Sequence, residues 1–383
     1  MRLAQTEELN KGNGMGLWMI SGLALAGSAS ALWWLATRRH PPLDYPLPEA
    51  LVIDYPEDIF VHTLPDGALA IHWPPERQPV SIRVGTQPDA FDRELPLPDD
   101  LTAGQAVYAD LDTRTRHYFE IVFADDGRVM AAERILNVDG AANFRDIGGY
   151  PTRDGRRVRW GRVYRSSYLA ELTPDGVAQL EALGVRLTCD LRSEEEVNMA
   201  PNRLPNGTRY LPLPVAAREN RRARLYTLFV DRRRMLVAMP NTYRYLLIDR
   251  NPRLFGRILT ELADEANLPA IVHCSAGKDR TGLTVALLYL LLGVPDDIII
   301  ADYSLSNRAY PFFRRLGESM IEPVRRLRLT VDDITPLLTA HPDTLRATLA
   351  HLRETYGTVE AYLLGPAGMD AATLDRLRAI MLE

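Results

Sequence analysis

The chain has 383 residues, a formal net charge of −5 at pH 7 and 46% hydrophobic residues. That length exceeds one ordinary domain and implies two or three pieces. So small a charge gives no sign of a nucleic-acid partner, and with Cys189 and Cys274 the only cysteines a disulfide scaffold is excluded.

Residues 1–14 read as a polar tail. Met15 to Ala36 carries no charged residue, and about 20 apolar residues suffice to span a bilayer. Trp18 near one end and Trp33-Trp34 near the other sit where an aromatic belt would place them. The expectation is an uncleaved single span at 15–36 that anchors the chain in the cell membrane. The alternative is a signal segment, cleaved after the small residues Ala29-Ser30-Ala31, and an exported protein. Arg2 and Lys11 before the span and Arg38 and Arg39 after it leave the side undetermined.

Residues 37–50, with Pro41, Pro42, Pro46 and Pro48, read as an extended linker. From 51 to 136 the pattern is short strands. Ile59 to Leu64 and Ala68 to Trp73 flank Pro65-Asp66-Gly67, and His117 to Phe123 and Val129 to Leu136 flank Asp125-Asp126-Gly127. Both read as hairpins, and the stretch suits a small β-sandwich resembling a fibronectin type III module. Its role reads either as binding or as a spacer that packs on the domain after it. From 137 to 383 strands and helices alternate, which predicts an α/β domain with a central sheet flanked by helices. Within it, residues 215–250 read as helices, with arginines crowded at Arg218, Arg221, Arg222, Arg224, Arg232, Arg233 and Arg234.

One loop in this last segment concentrates the chemistry. Pro269 to His273 reads as a buried strand, and Leu283 to Leu292 as a helix buried on nearly all sides, stopped by Gly293 and Pro295. Between them lies Cys274-Ser275-Ala276-Gly277-Lys278-Asp279-Arg280-Thr281-Gly282. A loop above a helix N-terminus meets unpaired N–H groups and partial positive charge, the makings of an anion nest. Such surroundings favour the thiolate of Cys274, the nucleophilic form. Arg280 offers a planar fork for two phosphate oxygens. Ser275, Ala276, Gly277 and Lys278 line the anion site, Thr281 sets a hydroxyl near the sulfur, and His273 orients the cysteine.

The stretch His273–Gly282 resembles the signature loop of the bacterial tyrosine/dual-specificity phosphatase family. Further blocks fit the same family: Asn143 to Tyr150, Gly161 to Ser167, Asp190 to Glu196, Ala301 to Asn307, and Tyr356-Gly357 with Tyr362. The resemblance implies a cysteine-dependent phosphatase domain that acts without metal or cofactor. Cys274 attacks phosphorus in line, a phosphocysteine forms, and water hydrolyses it. Phosphorylated protein would be the substrate, with phosphoinositides as a further option. It also implies that the arginine-rich insertion near 215–250 covers the site as a lid.

An acid must protonate the leaving oxygen. Asp279, inside the loop, matches a position the family uses; Asp190, at the end of the apolar stretch from Val185, competes with it as a residue at a strand's C-terminal end. Each has a plain alternative, Asp190 as an ion pair or cap with Arg192 or Ser193, and Asp279 as the partner of Lys278 or Arg280. Lys278 either favours multiply charged substrates or only balances Asp279. Cys189 reads as a buried apolar cysteine or as a resolving thiol for Cys274. The competing functions are a phosphoinositide or inositol phosphate phosphatase and, outside enzymes, a membrane-tethered phospho-binding module.

Overall fold

The computed structural model describes residues 45–54, 58–112, 114–215, 234–322 and 330–383. Among these, two compact units separate, the larger taking in residues 46–54, 58–112, 114–215, 238–313 and 339–383, the smaller residues 45, 234–237, 314–322 and 330–338. In the smaller, Gly317 permits close packing: a Cβ there would stand 2.7 Å from Leu338 Cδ1.

In the larger unit the first strands are β1 (Phe60–Thr63), β2 (Leu69–His72), β3 (Pro79–Gly85), β4 (Arg93–Leu95), β5 (Gln105–Tyr108), β6 (Tyr118–Phe123) and β7 (Arg128–Ala132). They form a three-stranded sheet, β1-β2-β5, and a four-stranded sheet, β4-β3-β6-β7. Every pairing is antiparallel. Alternation along β6 explains what each face covers. Phe119, Ile121 and Phe123 join Ile71, Ile82 and Ala106 in one apolar cluster fed by both sheets. Tyr118 turns the other way and packs with Ala132 on Trp160.

The remaining strands are β8 (Arg145–Asp146), β9 (Val163–Ser166), β10 (Leu187–Asp190), β11 (Arg209–Pro212) and β12 (Ala270–His273). They make a five-stranded sheet of order β11-β10-β12-β9-β8. Only the β8–β9 pair is antiparallel. Every residue of β12 is buried, as a parallel sheet covered on both faces requires. On one face Ile271 packs with Tyr164 and with Leu180 of α1 (Pro174–Ala182). On the other, Ala270 and Val272 meet Phe255 and Leu259 of α3 (Pro252–Leu262) and the apolar α4 (Asp279–Leu292). α2 (Glu194–Met199) follows β10, and α5 (Asp296–Ser304) follows α4. Gly293 ends α4 at φ 83°, as a left-handed C-terminal glycine does.

The expected membrane anchoring is corrected here. Among the described residues no helix is long and apolar enough to cross a membrane, and residues 15–36, on which the expectation fell, lie outside them. Of the described helices α4 is the most apolar, and it has 14 residues where about 20 are needed. The arginines from 218 to 233 also lie outside the described residues.

Candidate active site

β12 delivers the loop and α4 receives it, so Cys274 stands at a strand's C-terminal edge directly over a helix N-terminus. The loop carbonyls are all committed elsewhere. Ser275 O accepts from Tyr168 N at 3.1 Å. Ala276 O accepts from Asn143 Nδ2 at 3.0 Å. Gly277 O accepts from Asn143 Nδ2 at 3.1 Å and from Arg165 Nη2 at 2.9 Å. In a planar peptide the carbonyl and the following N–H point opposite ways. Drawing these carbonyls outward therefore turns the next amides inward, toward the sulfur. The Gly277 N–H donates to Cys274 Sγ at 3.2 Å. Gly277 has φ 66°, and a Cβ there would lie 2.2 Å from Ser166 O, so only glycine fits.

A buried ionic cluster fixes the donors that hold the loop. Asp302 on α5 accepts from Arg145 Nε at 3.1 Å and from Arg165 Nη1 at 2.7 Å. Arg145 in turn donates to Asn143 Oδ1, aiming the Asn143 amide at the loop. Burial would raise the Asp302 carboxyl, and the two guanidinium groups outweigh it and hold it low.

Arg280 is gripped by Glu196 of α2. Its Nη1 donates to Glu196 Oε2 at 2.7 Å and its Nη2 to Oε1 at 2.6 Å. Ser275 Oγ donates to the same carboxylate. Glu196 also closes the capping box of α2 with Ser193. Burial pushes its carboxyl up, but the Arg280 hydrogen bonds and charge, with Ser275, bring it to about 2. Thr281 is wholly buried and its hydroxyl has no hydrogen-bond partner among the described residues.

The two aspartates are placed very differently. Asp190 is wholly buried. Its carboxylate takes Arg192 Nε at 2.9 Å and Nη2 at 2.8 Å, Asn202 Nδ2 at 2.9 Å and Tyr210 OH at 3.1 Å. Burial raises its carboxyl, and the Arg192 hydrogen bonds and the nearby charges overcome that and hold it below its ordinary value. Asp279 opens α4 with its side chain 27% exposed, and accepts from Lys278 Nζ at 2.7 Å. Lys278 itself is buried. His273 is buried beneath the loop, and burial pushes its imidazole down to about 4. Asn202 Nδ2 donates toward its Nε2 at 3.3 Å, which leaves Nδ1 to face Cys274 O at 3.4 Å.

Cys189 pairs with Val272 across the β10–β12 ladder. That is two positions short of Cys274, so strand geometry separates the Cα atoms by roughly 8 Å, beyond the ~7 Å a disulfide tolerates. Burial pushes its thiol up to about 12, so it stays protonated, a poor resolving nucleophile.

Glu196, Asn143, Arg165 and Asp302 are contributors to which sequence reasoning gave no role. The first three lay inside motif blocks, and so did Asp302, but only contacts reveal what each does. A cavity of about 980 Å³, lined by Arg116, Arg162, Arg186 and Pro269, opens at the N-terminal ends of the parallel strands, the end opposite the loop.

The model of the tyrosine phosphatase family matches residues 136–383. The chain belongs to that family. It is 32% identical over 283 residues to the triple specificity protein phosphatase PtpB of Mycobacterium tuberculosis, across 65% of this chain and 99% of that one. A protein of Cupriavidus necator assigned as a tyrosine-protein phosphatase is 29% identical over 241 residues, across 62% of this chain and 86% of its own. This member of the family is thus a protein-tyrosine, dual-specificity type of phosphoric monoester hydrolase. Its phosphatase domain has the α/β fold expected of it, a central sheet with helices on both faces.

Proposed function

We propose that Cys274 takes the phosphoryl group from a phosphotyrosine side chain while Arg280 and the inward amides of residues 276–278 hold its equatorial oxygens. The observation that carries this is the Gly277 N–H on Cys274 Sγ at 3.2 Å, inside a loop whose carbonyls all point away. Such preorganised dipoles stabilise charge without reorganising at the moment of reaction. Thr281 donates to the sulfur as it leaves in the second step; its buried, unpartnered hydroxyl supports this. Ser275, Ala276, Gly277 and Lys278 shape the anion site, and His273 orients Cys274 as a neutral ring.

Asp279 protonates the leaving phenolate. Its partial exposure in the loop supports the assignment. Asp190 is a positioning residue, because a carboxylate saturated by Arg192, Asn202 and Tyr210 has no proton to give. The strands from 51 to 136 form a small sandwich of fibronectin type III kind that buttresses the phosphatase domain through Trp160.

The test is turnover of phosphotyrosine peptide with acid quench of the enzyme. Wild type should yield phosphate on Cys274, and Cys274→Ser should yield neither adduct nor turnover. Activity that survives Cys274→Ser rejects the mechanism. Running phosphoserine peptide and phosphatidylinositol phosphates beside it decides the substrate: a preference for either over phosphotyrosine overturns that assignment.

A further inference from the structure

We infer that Tyr243 positions the Asp279 carboxyl and thereby selects which of its oxygens carries the proton to the leaving group. The inference rests on the proposed role of Asp279 as the acid and adds a residue that no motif contains. Tyr243 OH donates to Asp279 Oδ1 at 2.5 Å. Lys278 Nζ donates to the same oxygen at 2.7 Å. Asp279 Oδ2 has no hydrogen-bond partner among the described residues. A carboxyl oxygen already accepting from an ammonium and a phenol is a poor place for a proton. When the carboxyl is protonated the proton therefore sits on Oδ2, and the two donors on Oδ1 stop the carboxyl from rotating.

The support behind Tyr243 is rigid. Its hydroxyl lies 2.8 Å from Tyr303 OH, and since it donates to Asp279 it accepts from Tyr303. Both rings are buried. Tyr303 lies against the first turn of α4, where a Cβ on Gly282 would come within 3.0 Å of its ring. Tyr243 itself lies in a π-helical turn, Thr242–Ile248, a widening of the helix that often marks functional positions. Burial, then the Asp279 charge, push its phenol well above 10, so it keeps its proton and remains a donor.

The steps balance. Sγ bonds to phosphorus as the bond from phosphorus to the leaving oxygen breaks, and the Oδ2 proton passes to that oxygen. The resulting carboxylate keeps its donors from Tyr243 and Lys278 on Oδ1. Water then attacks phosphorus, its proton passes to Oδ2, the S–P bond breaks, and phosphate and thiolate are released.

The experiment compares Tyr243→Phe, Asp279→Asn and the double variant on two aryl phosphates. One has a good leaving group (p-nitrophenyl) and one a poor one (phenyl). Asp279→Asn should lose roughly 10²–10⁴-fold in kcat/KM, which reports phosphoryl transfer and not the shared hydrolysis step, on the poor substrate and far less on the good one. Tyr243→Phe should lose roughly tenfold in kcat/KM on the poor substrate, as expected for one hydrogen bond to a charged group. It should barely affect kcat/KM on the good substrate. The double variant should lose no more than Asp279→Asn alone.

Equal losses on both substrates would make Tyr243 merely structural and overturn the inference. A leaving-group effect in Asp279→Asn with none in Tyr243→Phe would overturn it while leaving Asp279 as the acid. No leaving-group effect in Asp279→Asn would remove the acid assignment and the inference together. Should Tyr243→Phe fail to fold, Tyr303→Phe takes its place. It weakens the donor behind Tyr243, so the same leaving-group pattern at smaller amplitude is expected, and its absence overturns the inference.

Discussion

Arg280 is useful only if its planar fork faces the loop, and an arginine has many rotamers to lose. Glu196 supplies the constraint by taking both terminal nitrogens of the guanidinium. Glu196→Gln should lower kcat/KM roughly 10- to 100-fold, the cost of one charge-assisted pair, with the protein still folded. The same pair links to pH. The Glu196 carboxyl falls from 4.5 to about 2 on folding, so it contributes stability above about pH 4.5, lost as the pH falls through about 2. The gap in urea midpoint between wild type and Glu196→Gln should therefore be full at pH 6 and smaller at pH 3. An unchanged kcat/KM in the variant would show that the fork needs no such hold.

The loop and the helix behind it act as one element. Each loop carbonyl is tied to a donor outside, so the inward amides are a consequence of Asn143, Arg165 and Tyr168. The close approach at Gly277 makes this brittle. Gly277→Ala would bring Cβ to 2.2 Å from Ser166 O at a φ of 66°, and the loop must lift. Loss of more than about 100-fold in kcat, the scale seen when one oxyanion donor is removed, should accompany a circular dichroism spectrum like that of wild type. Near-normal kcat would mean that the loop relaxes without losing its amides.

Across the larger unit, Asp302 ties the signature loop to segments far from it in sequence, through Arg145 and Arg165. Replacing it leaves two buried guanidinium groups without their carboxylate. Asp302→Ala should cost about 3–5 kcal/mol, read as a fall in the midpoint of urea unfolding. A change below about 1 kcal/mol would show the cluster to be relaxed by water. Trp160 plays a similar joining part for the N-terminal sheets, filling the space between Tyr118 and Ala132 and donating from Nε1 to Met130 O at 3.1 Å.

The strand Ala270–His273, the apolar helix after it and the Cys274–Arg280 spacing were legible in the chain because they are local. A buried parallel strand must be apolar throughout, and a phosphate loop needs its nucleophile and guanidinium a fixed few residues apart. Asn143, Glu196 and Asp302 were visible as parts of motifs but mute as to purpose, and Tyr243 gave no signal at all. Which of Asp190 and Asp279 is open to a substrate was likewise undecidable from order along the chain, since each stands beside a basic residue. Arg192 folds back to saturate Asp190, whereas Asp279 keeps an oxygen without a partner among the described residues. Hydrogen-bond saturation and burial are properties of packing, and packing joins residues that sequence spacing keeps apart.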